Sequence, residues 1–184
     1  LRGERLGPLP NVLARAHLSG GSPFPDLGGA MLRDLDRLPV PDYSDYFTQW
    51  EAARLDTPAR PYLPFETSRG CWWGQKQHCT FCGLNGESMA YRSKSPQRAL
   101  SEFTALIQAY PGIQQVAAVD NIMDMKYFKT FVQELGARSN PVELFYEVKS
   151  NLTREQVRLL KAAKVLQIQP GIESLSDQVL RLLL

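Results

Sequence analysis

The sequence predicts an α/β chain: a partial (β/α) barrel of about four strand–helix units behind a proline- and glycine-rich segment. Three observations predict it. Short runs of apolar or alternating residues alternate four times with stretches of helical spacing. Capping residues and glycine or proline stops punctuate the alternation. Residues with chemistry to offer fall where the strands end, the end of a parallel barrel where sites form.

In 184 residues, 43% are hydrophobic, enough for one buried core, and the net charge is +2. That balance gives no basic footprint for nucleic acid or an anionic membrane. No apolar run approaches the ~20 residues of a membrane span, and no signal peptide opens the chain. Unpaired cysteines fit a reducing cytoplasm. Leu1 is not a methionine and Leu184 falls inside an amphipathic pattern, so the chain is expected to be an excerpt of a longer protein.

Residues 1–60 are expected to be a connector. Pro8, Pro10, Pro23, Pro25, Pro39, Pro41 and Pro58 interrupt every long pattern. Short helices are expected over Leu27–Leu38 and Tyr43–Arg54. The second puts Tyr46, Phe47 and Trp50 on one face, a stripe suited to packing against the next domain. Residues 61–184 carry the strand–helix units.

The first strand is expected over Tyr62–Arg69. Ser95 as N-cap and Pro96 at the first helical position start a helix whose Ala99, Leu100, Phe103, Leu106, Ile107 and Tyr110 share a face. Ile113–Asp120, with Val116-Ala117-Ala118-Val119, reads as a strand buried on both faces. A helix from about Asp124 turns Tyr127, Phe128, Phe131, Val132 and Leu135 inward and stops at Gly136. Val142–Lys149 alternates Leu144, Tyr146 and Val148 with Glu143, Phe145, Glu147 and Lys149. Thr153 and Gln156 form a capping-box pair for a helix to about Ala163. Leu166–Pro170 is the fourth strand, and Ser176 or Asp177 starts a last helix. The alternation in the last two strands also suits an antiparallel sheet with one wet face. In a barrel the apolar set faces the helices and the polar set a cavity, where Glu147 and Lys149 need partners or a ligand. A fourth strand left at the sheet's edge is expected to make the chain poorly soluble, or to pair it with another chain, unless something shields it.

All three cysteines lie in one stretch, with seven residues between Cys71 and Cys79 and two between Cys79 and Cys82. Three thiolates suit an iron–sulfur cluster with one open iron, or zinc. Closed zinc needs a fourth ligand, and His78, adjacent to Cys79, is the candidate nearby. Free cysteines are the remaining alternative. An odd count argues against a disulfide scaffold.

The wording of this stretch resembles a family. Ser68-Arg69-Gly70-Cys71, then Cys79-Thr80-Phe81-Cys82-Gly83, looks like the cluster loop of radical S-adenosylmethionine (SAM) enzymes. The usual pattern has three residues between the first two cysteines; the wider gap here, with Cys71-Trp72-Trp73-Gly74 before it and Cys82-Gly83-Leu84-Asn85-Gly86 after it, resembles the cobalamin-dependent members that mature ribosomally made peptides of the bacteriocin type. Tyr91–Pro96, Ala118–Ile122, Leu144–Lys149 and Gln169–Ser174 carry similar wording. The likeness spans roughly residues 38–184, and Leu38–Tyr43 resembles the connector from a cobalamin domain.

That resemblance implies a radical SAM barrel in which Cys71, Cys79 and Cys82 hold a 4Fe–4S cluster. It implies SAM bound at the open iron and cleaved reductively to methionine and a 5′-deoxyadenosyl radical. Cobalamin on a domain outside this chain would deliver a methyl group to a precursor peptide, and flavodoxin or ferredoxin would supply electrons. Epimerisation or crosslinking of the peptide is the variant reading, and a zinc-stapled noncatalytic interaction module is the alternative of a different class. For SAM, the resemblance points to Phe81 near the adenine and to Asp120 and Asn121 near the methionine amino group, where the family's usual Gly-Gly-Glu is replaced. Glu147, Lys149, Glu173 and Ser174 are pointed to for the carboxylate or ribose. Ser174 also suits a structural turn.

Overall fold

The computed structural model describes residues 31–54, 60–83 and 89–183. Of its two units, Leu1–Arg33 and Asp34–Leu184, the second holds nearly all the described residues.

A 3-10 turn, Leu35–Arg37, and helix α1, Ser44–Ala53, open the unit. The helix expected over Leu27–Leu38 reduces to that turn within the described residues. α1 ends on Arg54 at φ 43°, so it stops by left-handed closure without glycine. Tyr43 and Phe47 pack on the core. The Tyr43 hydroxyl donates to Pro64 O at 3.0 Å, and the Tyr43 N–H donates to the Tyr110 hydroxyl at 2.6 Å. Of the predicted stripe, Phe47 is thus the inward member, while Tyr46 is exposed and stacks edgewise on Phe47.

The single strand expected over Tyr62–Arg69 is two short strands, β1 (Leu63–Phe65) and β2 (Ser68–Arg69). Between them the chain leaves the main sheet, because β2 pairs antiparallel with β3, Arg92–Ser93. The main sheet is parallel and open, in the order β1, β4 (Gln115–Ala118), β5 (Glu143–Lys149), β6 (Val165–Gly171). Parallel pairing removes the antiparallel alternative for β5 and β6. Among the described residues the sheet does not close into a barrel.

The helices follow the predicted caps. α2, Pro96–Ala109, has Ser95 accepting from the Arg98 N–H. α4, Arg154–Ala162, carries the full Thr153–Gln156 capping box. The second crossover starts as a 3-10 turn, Met125–Lys129, and continues as α3, Phe131–Ala137. Gly136 lies inside α3 and is not its stop. A Cβ there would meet the Ala162 Cβ at 3.4 Å, an ordinary contact between α3 and α4. α5, Asp177–Leu183, follows β6.

The core lies between the sheet and α2–α4. Leu63 and Phe65 of β1, Val116 and Ala118 of β4, Leu144, Tyr146 and Val148 of β5 meet Phe103, Leu106, Phe131, Val132 and Leu160. Phe65, Phe103 and Phe131 form a cluster with ring centroids 5.6–6.0 Å apart. Burying each such ring contributes roughly 1.5–3 kcal/mol. The expectation that Ile113–Asp120 is buried on both faces is corrected: Val116 and Ala118 are buried, but Ala117 is half-buried and Val119 is 55% exposed. The face away from the helices is open there, and β5 turns Phe145, Glu147 and Lys149 toward it. β6 is an edge strand, so Leu166 and Ile168 remain exposed. Pro170 is tolerated in an edge strand.

Candidate metal centre

The cysteine loop is held by its root. β1 ends at Phe65, and Thr67 and Ser68 follow, both buried. Their donors converge on Asp120, just past the end of β4. Thr67 N–H and Ser68 Oγ donate to the carboxylate at 2.7 and 2.8 Å, and Thr67 Oγ1 donates to it as well. The Tyr146 hydroxyl lies 3.2 Å from Thr67 Oγ1, and the Tyr127 hydroxyl donates to Thr67 O and Lys94 O at 3.1 and 2.9 Å. Burial pushes the Asp120 carboxyl up to about 6, against the pull of these donors.

A second buried tie lies behind. Lys94 and Glu102 are 2% and 0% exposed in their side chains and paired at 2.7 Å. Lys94 Nζ also donates to Glu66 O at 2.6 Å, and Arg98 pairs with the other Glu102 oxygen at 2.9 Å. The β2–β3 pair then clips the two ends of the loop together. At the neck, Gly70 adopts φ +83°, and a Cβ there would be 2.4 Å from Ala90 O. Only glycine fits.

Beyond the neck the first cysteine starts a turn. Gln75 N–H donates to Cys71 O, and Gln77 N–H to Trp73 O, each at 2.9 Å. Gly74 N–H donates to Cys71 Sγ at 3.2 Å. The Trp72 indole N–H reaches Met123 O at 3.0 Å, fastening the turn to the β4–α3 connection. The second turn joins the other two cysteines: Cys82 N–H donates to Cys79 O at 3.0 Å. Thr80 N–H donates to Leu183 O at 3.3 Å, so the end of α5 braces this turn.

All three thiols are free and half-buried. The Cys79 thiol is pushed up, first by burial and then by the charges of Cys82, Cys71 and Glu173; Lys149 opposes this. Among the described residues, no three His, Cys, Asp or Glu side chains converge as a ready-made metal-binding group. By chemistry alone, thiols are the soft donors that zinc and iron–sulfur clusters take. The fourth donor needed for closed zinc finds no support at His78: it is exposed, with Nε2 3.0 Å from Cys82 O.

Lys149, at the end of β5, sets its Nζ 3.1 Å from the centroid of the Trp73 ring. Desolvation lowers its ammonium, while Cys79 and Cys71 pull the other way. The remaining predicted residues are spread around this end of the sheet. Phe81 is 54% exposed. Asn121 is half-buried beside the inward-turned Asp120. Glu147 is half-buried, its carboxyl raised by desolvation. Glu173 has φ 61° and folds its Oε1 back to 3.1 Å from where a Gly171 Cβ would stand. Ser174 builds a turn: its N–H donates to Ile172 O at 2.7 Å and its Oγ accepts from the Ser176 N–H at 3.1 Å.

With this geometry in place, solved structures with a similar fold are informative. The cobalamin-dependent SAM radical enzyme OxsB matches with a TM-score of 0.63 and 18% identity, over 84% of this chain and 23% of OxsB. The radical SAM methyltransferase TsrM from Kitasatospora setae, solved with its tryptophan substrate and a SAM analogue, matches with a TM-score of 0.52 and 18% identity, over 65% of this chain and 23% of TsrM. The fold is radical-SAM-like. No protein-family model matches the chain, and no curated protein matches it. The chain thus spans about a quarter of each of these radical SAM enzymes. Among the described residues, no helix is long and apolar enough to cross a membrane.

Reasoning from sequence missed the scaffold of this site. Thr67, Ser68, Lys94 and Glu102 hold the root of the loop. A polar pair directly after an apolar strand was a visible signal for Thr67 and Ser68. Nothing in the pattern marks Lys94 as buried.

Proposed function

We propose that this chain is the cluster- and SAM-binding part of a radical SAM enzyme. In the whole protein it would serve cobalamin-dependent C-methylation of a ribosomally made precursor peptide. One observation carries the reading: three free thiols, spaced seven and two residues apart, share one loop at the carboxyl end of a parallel sheet. The fold likeness to OxsB and TsrM supports the class. The peptide substrate rests on the wording around Cys71–Gly86.

Cys71, Cys79 and Cys82 would hold a 4Fe–4S cluster. When bound, such a cluster supplies the electron that breaks a sulfonium carbon–sulfur bond of SAM. The chain's own residues do the rest. Asp120 holds the loop root from beneath the surface. The Trp72 indole fixes the first turn against Met123 O. Asn121, Glu147, Glu173 and Ser174 stand at the strand ends as polar contacts for SAM, with Phe81 on the rim for the adenine. Cobalamin would sit on a part of the protein outside this chain, and a flavodoxin or ferredoxin would deliver the electron.

Anaerobic reconstitution with iron and sulfide tests the reading. The expected result is a broad brown absorption band and, after dithionite, an electron-resonance signal. Both should be lost with Cys79→Ala, together with SAM cleavage. Stoichiometric zinc without that spectrum would make the loop a structural staple and overturn the proposal.

A further inference from the structure

The cysteine loop is tied to a segment that lies well before it in the chain. In the 3-10 turn Leu35–Arg37, Leu35 is buried, and the exposed Asp36 carboxylate accepts from the Ser95 N–H at 2.7 Å. Just past the turn, Leu38 O accepts from Arg98 Nη2 at 2.6 Å. The same Nη2 pairs with Glu102 Oε2 at 2.9 Å. Glu102 Oε1 pairs with Lys94 Nζ at 2.7 Å, and Lys94 Nζ donates to Glu66 O at 2.6 Å. The Lys94 N–H donates to Thr67 O at 2.9 Å. Every link is at hydrogen-bonding distance, and the Lys94 and Glu102 side chains are 2% and 0% exposed. Water competes weakly for groups so buried, so each partner holds the next in place. Glu66 and Thr67 stand where the loop leaves the body, after β1. Lys94 stands where it returns, after β3. The path therefore ends on both sides of the loop's neck.

We propose that Arg98, Glu102 and Lys94 form a relay through which the Leu35–Leu38 segment governs how tightly the cysteine loop is held. The docked segment gives Arg98 its acceptor at Leu38 O. Arg98 then fixes one oxygen of Glu102, Glu102 fixes Lys94 with the other, and Lys94 holds both ends of the loop. With the segment undocked, the loop root loosens while the sheet beneath it stays closed. All three are positioning residues. The Tyr43 hydroxyl bond to Pro64 O reaches β1 by a separate route and is no part of the relay. The coupling is a property of the chain alone, with or without a metal on its thiols, so it stands or falls independently of the cluster reading above.

Native-state hydrogen exchange of the full chain tests it, reading the Thr67 and Lys94 amides against the β5 amides of the core. Leu35→Ala, which frees the turn, should speed exchange at Thr67 and Lys94 several-fold and leave β5 at the wild-type rate. In an Arg98→Met background the relay is already cut, so adding Leu35→Ala should bring little further change at the loop root. An unchanged loop root in Leu35→Ala overturns the proposal. An equal increment in both backgrounds also overturns it, since the segment then acts by another route. Equal acceleration of the loop root and β5 overturns it too, making the segment a contributor to global stability only. Asp36→Ala, at an exposed position, and Arg98→Gln repeat the comparison if Leu35→Ala or Arg98→Met fails to fold.

Discussion

The Thr67 N–H donates to Asp120 Oδ1 across 2.7 Å, tying the chain just beyond β1 to the chain just beyond β4. The carboxylate is buried, and Ser68 Oγ feeds its second oxygen at 2.8 Å. Burial raises this carboxyl from 3.8 to about 6. Between those values the folded protein keeps a proton that the unfolded chain has released. The contribution of Asp120 to stability is therefore fullest below about pH 4 and declines as pH rises through about 6. Asp120→Asn removes this titration. Urea unfolding at stepped pH should show the wild type's advantage over Asp120→Asn shrinking across that window and level above it. A constant difference throughout would show that the carboxyl is not perturbed.

The Lys94–Glu102 pair gives a second prediction. Both side chains are almost wholly buried. Glu102→Ala leaves two cations facing the core side and should cost roughly 3–5 kcal/mol, the usual penalty for orphaning a buried charge. The double variant Lys94→Met with Glu102→Leu should recover most of that loss, since desolvation of both charges disappears with them. Denaturant midpoints of the two variants decide it.

The neck of the loop gives a third. Gly70→Ala combines a left-handed backbone with a Cβ 2.4 Å from Ala90 O. It should destabilise by about 2 kcal/mol or more, given the ~1–2 kcal/mol of the backbone conformation alone, and reduce iron uptake. Gly83→Ala is the control: nothing stands within 4 Å of its added Cβ, and it should stay within about 0.5 kcal/mol of wild type. Thermal unfolding and iron content of the pair make the comparison.

Much of this was legible beforehand because local signals agreed with the fold. Ser95-Pro96 and Thr153–Gln156 cap helices as their chemistry dictates, and the alternation of β5 sorts its two faces as read. Two of the errors share a cause: tertiary contacts decide them. Tyr62–Arg69 looked like one strand because β propensity does not register that Ser68 and Arg69 pair with Arg92 and Ser93 instead of the main sheet. Val119 looked buried because a run of small apolar residues does not say that one face of the sheet lies open. Gly136 looked like a helix stop because glycine is common there, yet α3 runs one residue past it and is capped by Arg138. At the candidate site the three cysteines announced themselves through spacing. Asp120 was legible as a polar residue at a strand end, but whether its carboxylate faces a ligand or the loop root depends on Thr67 and Ser68, which no periodicity reports.

The two margins of the main sheet are unequal. Among the described residues β1 offers three residues and β6 seven, each with a single strand neighbour. Leu166 and Ile168 stay uncovered along that longer margin. Extension of the sheet is therefore one-sided: an incoming backbone finds a seven-residue seam at β6, already baited with two aliphatic side chains, and scarcely a foothold at β1.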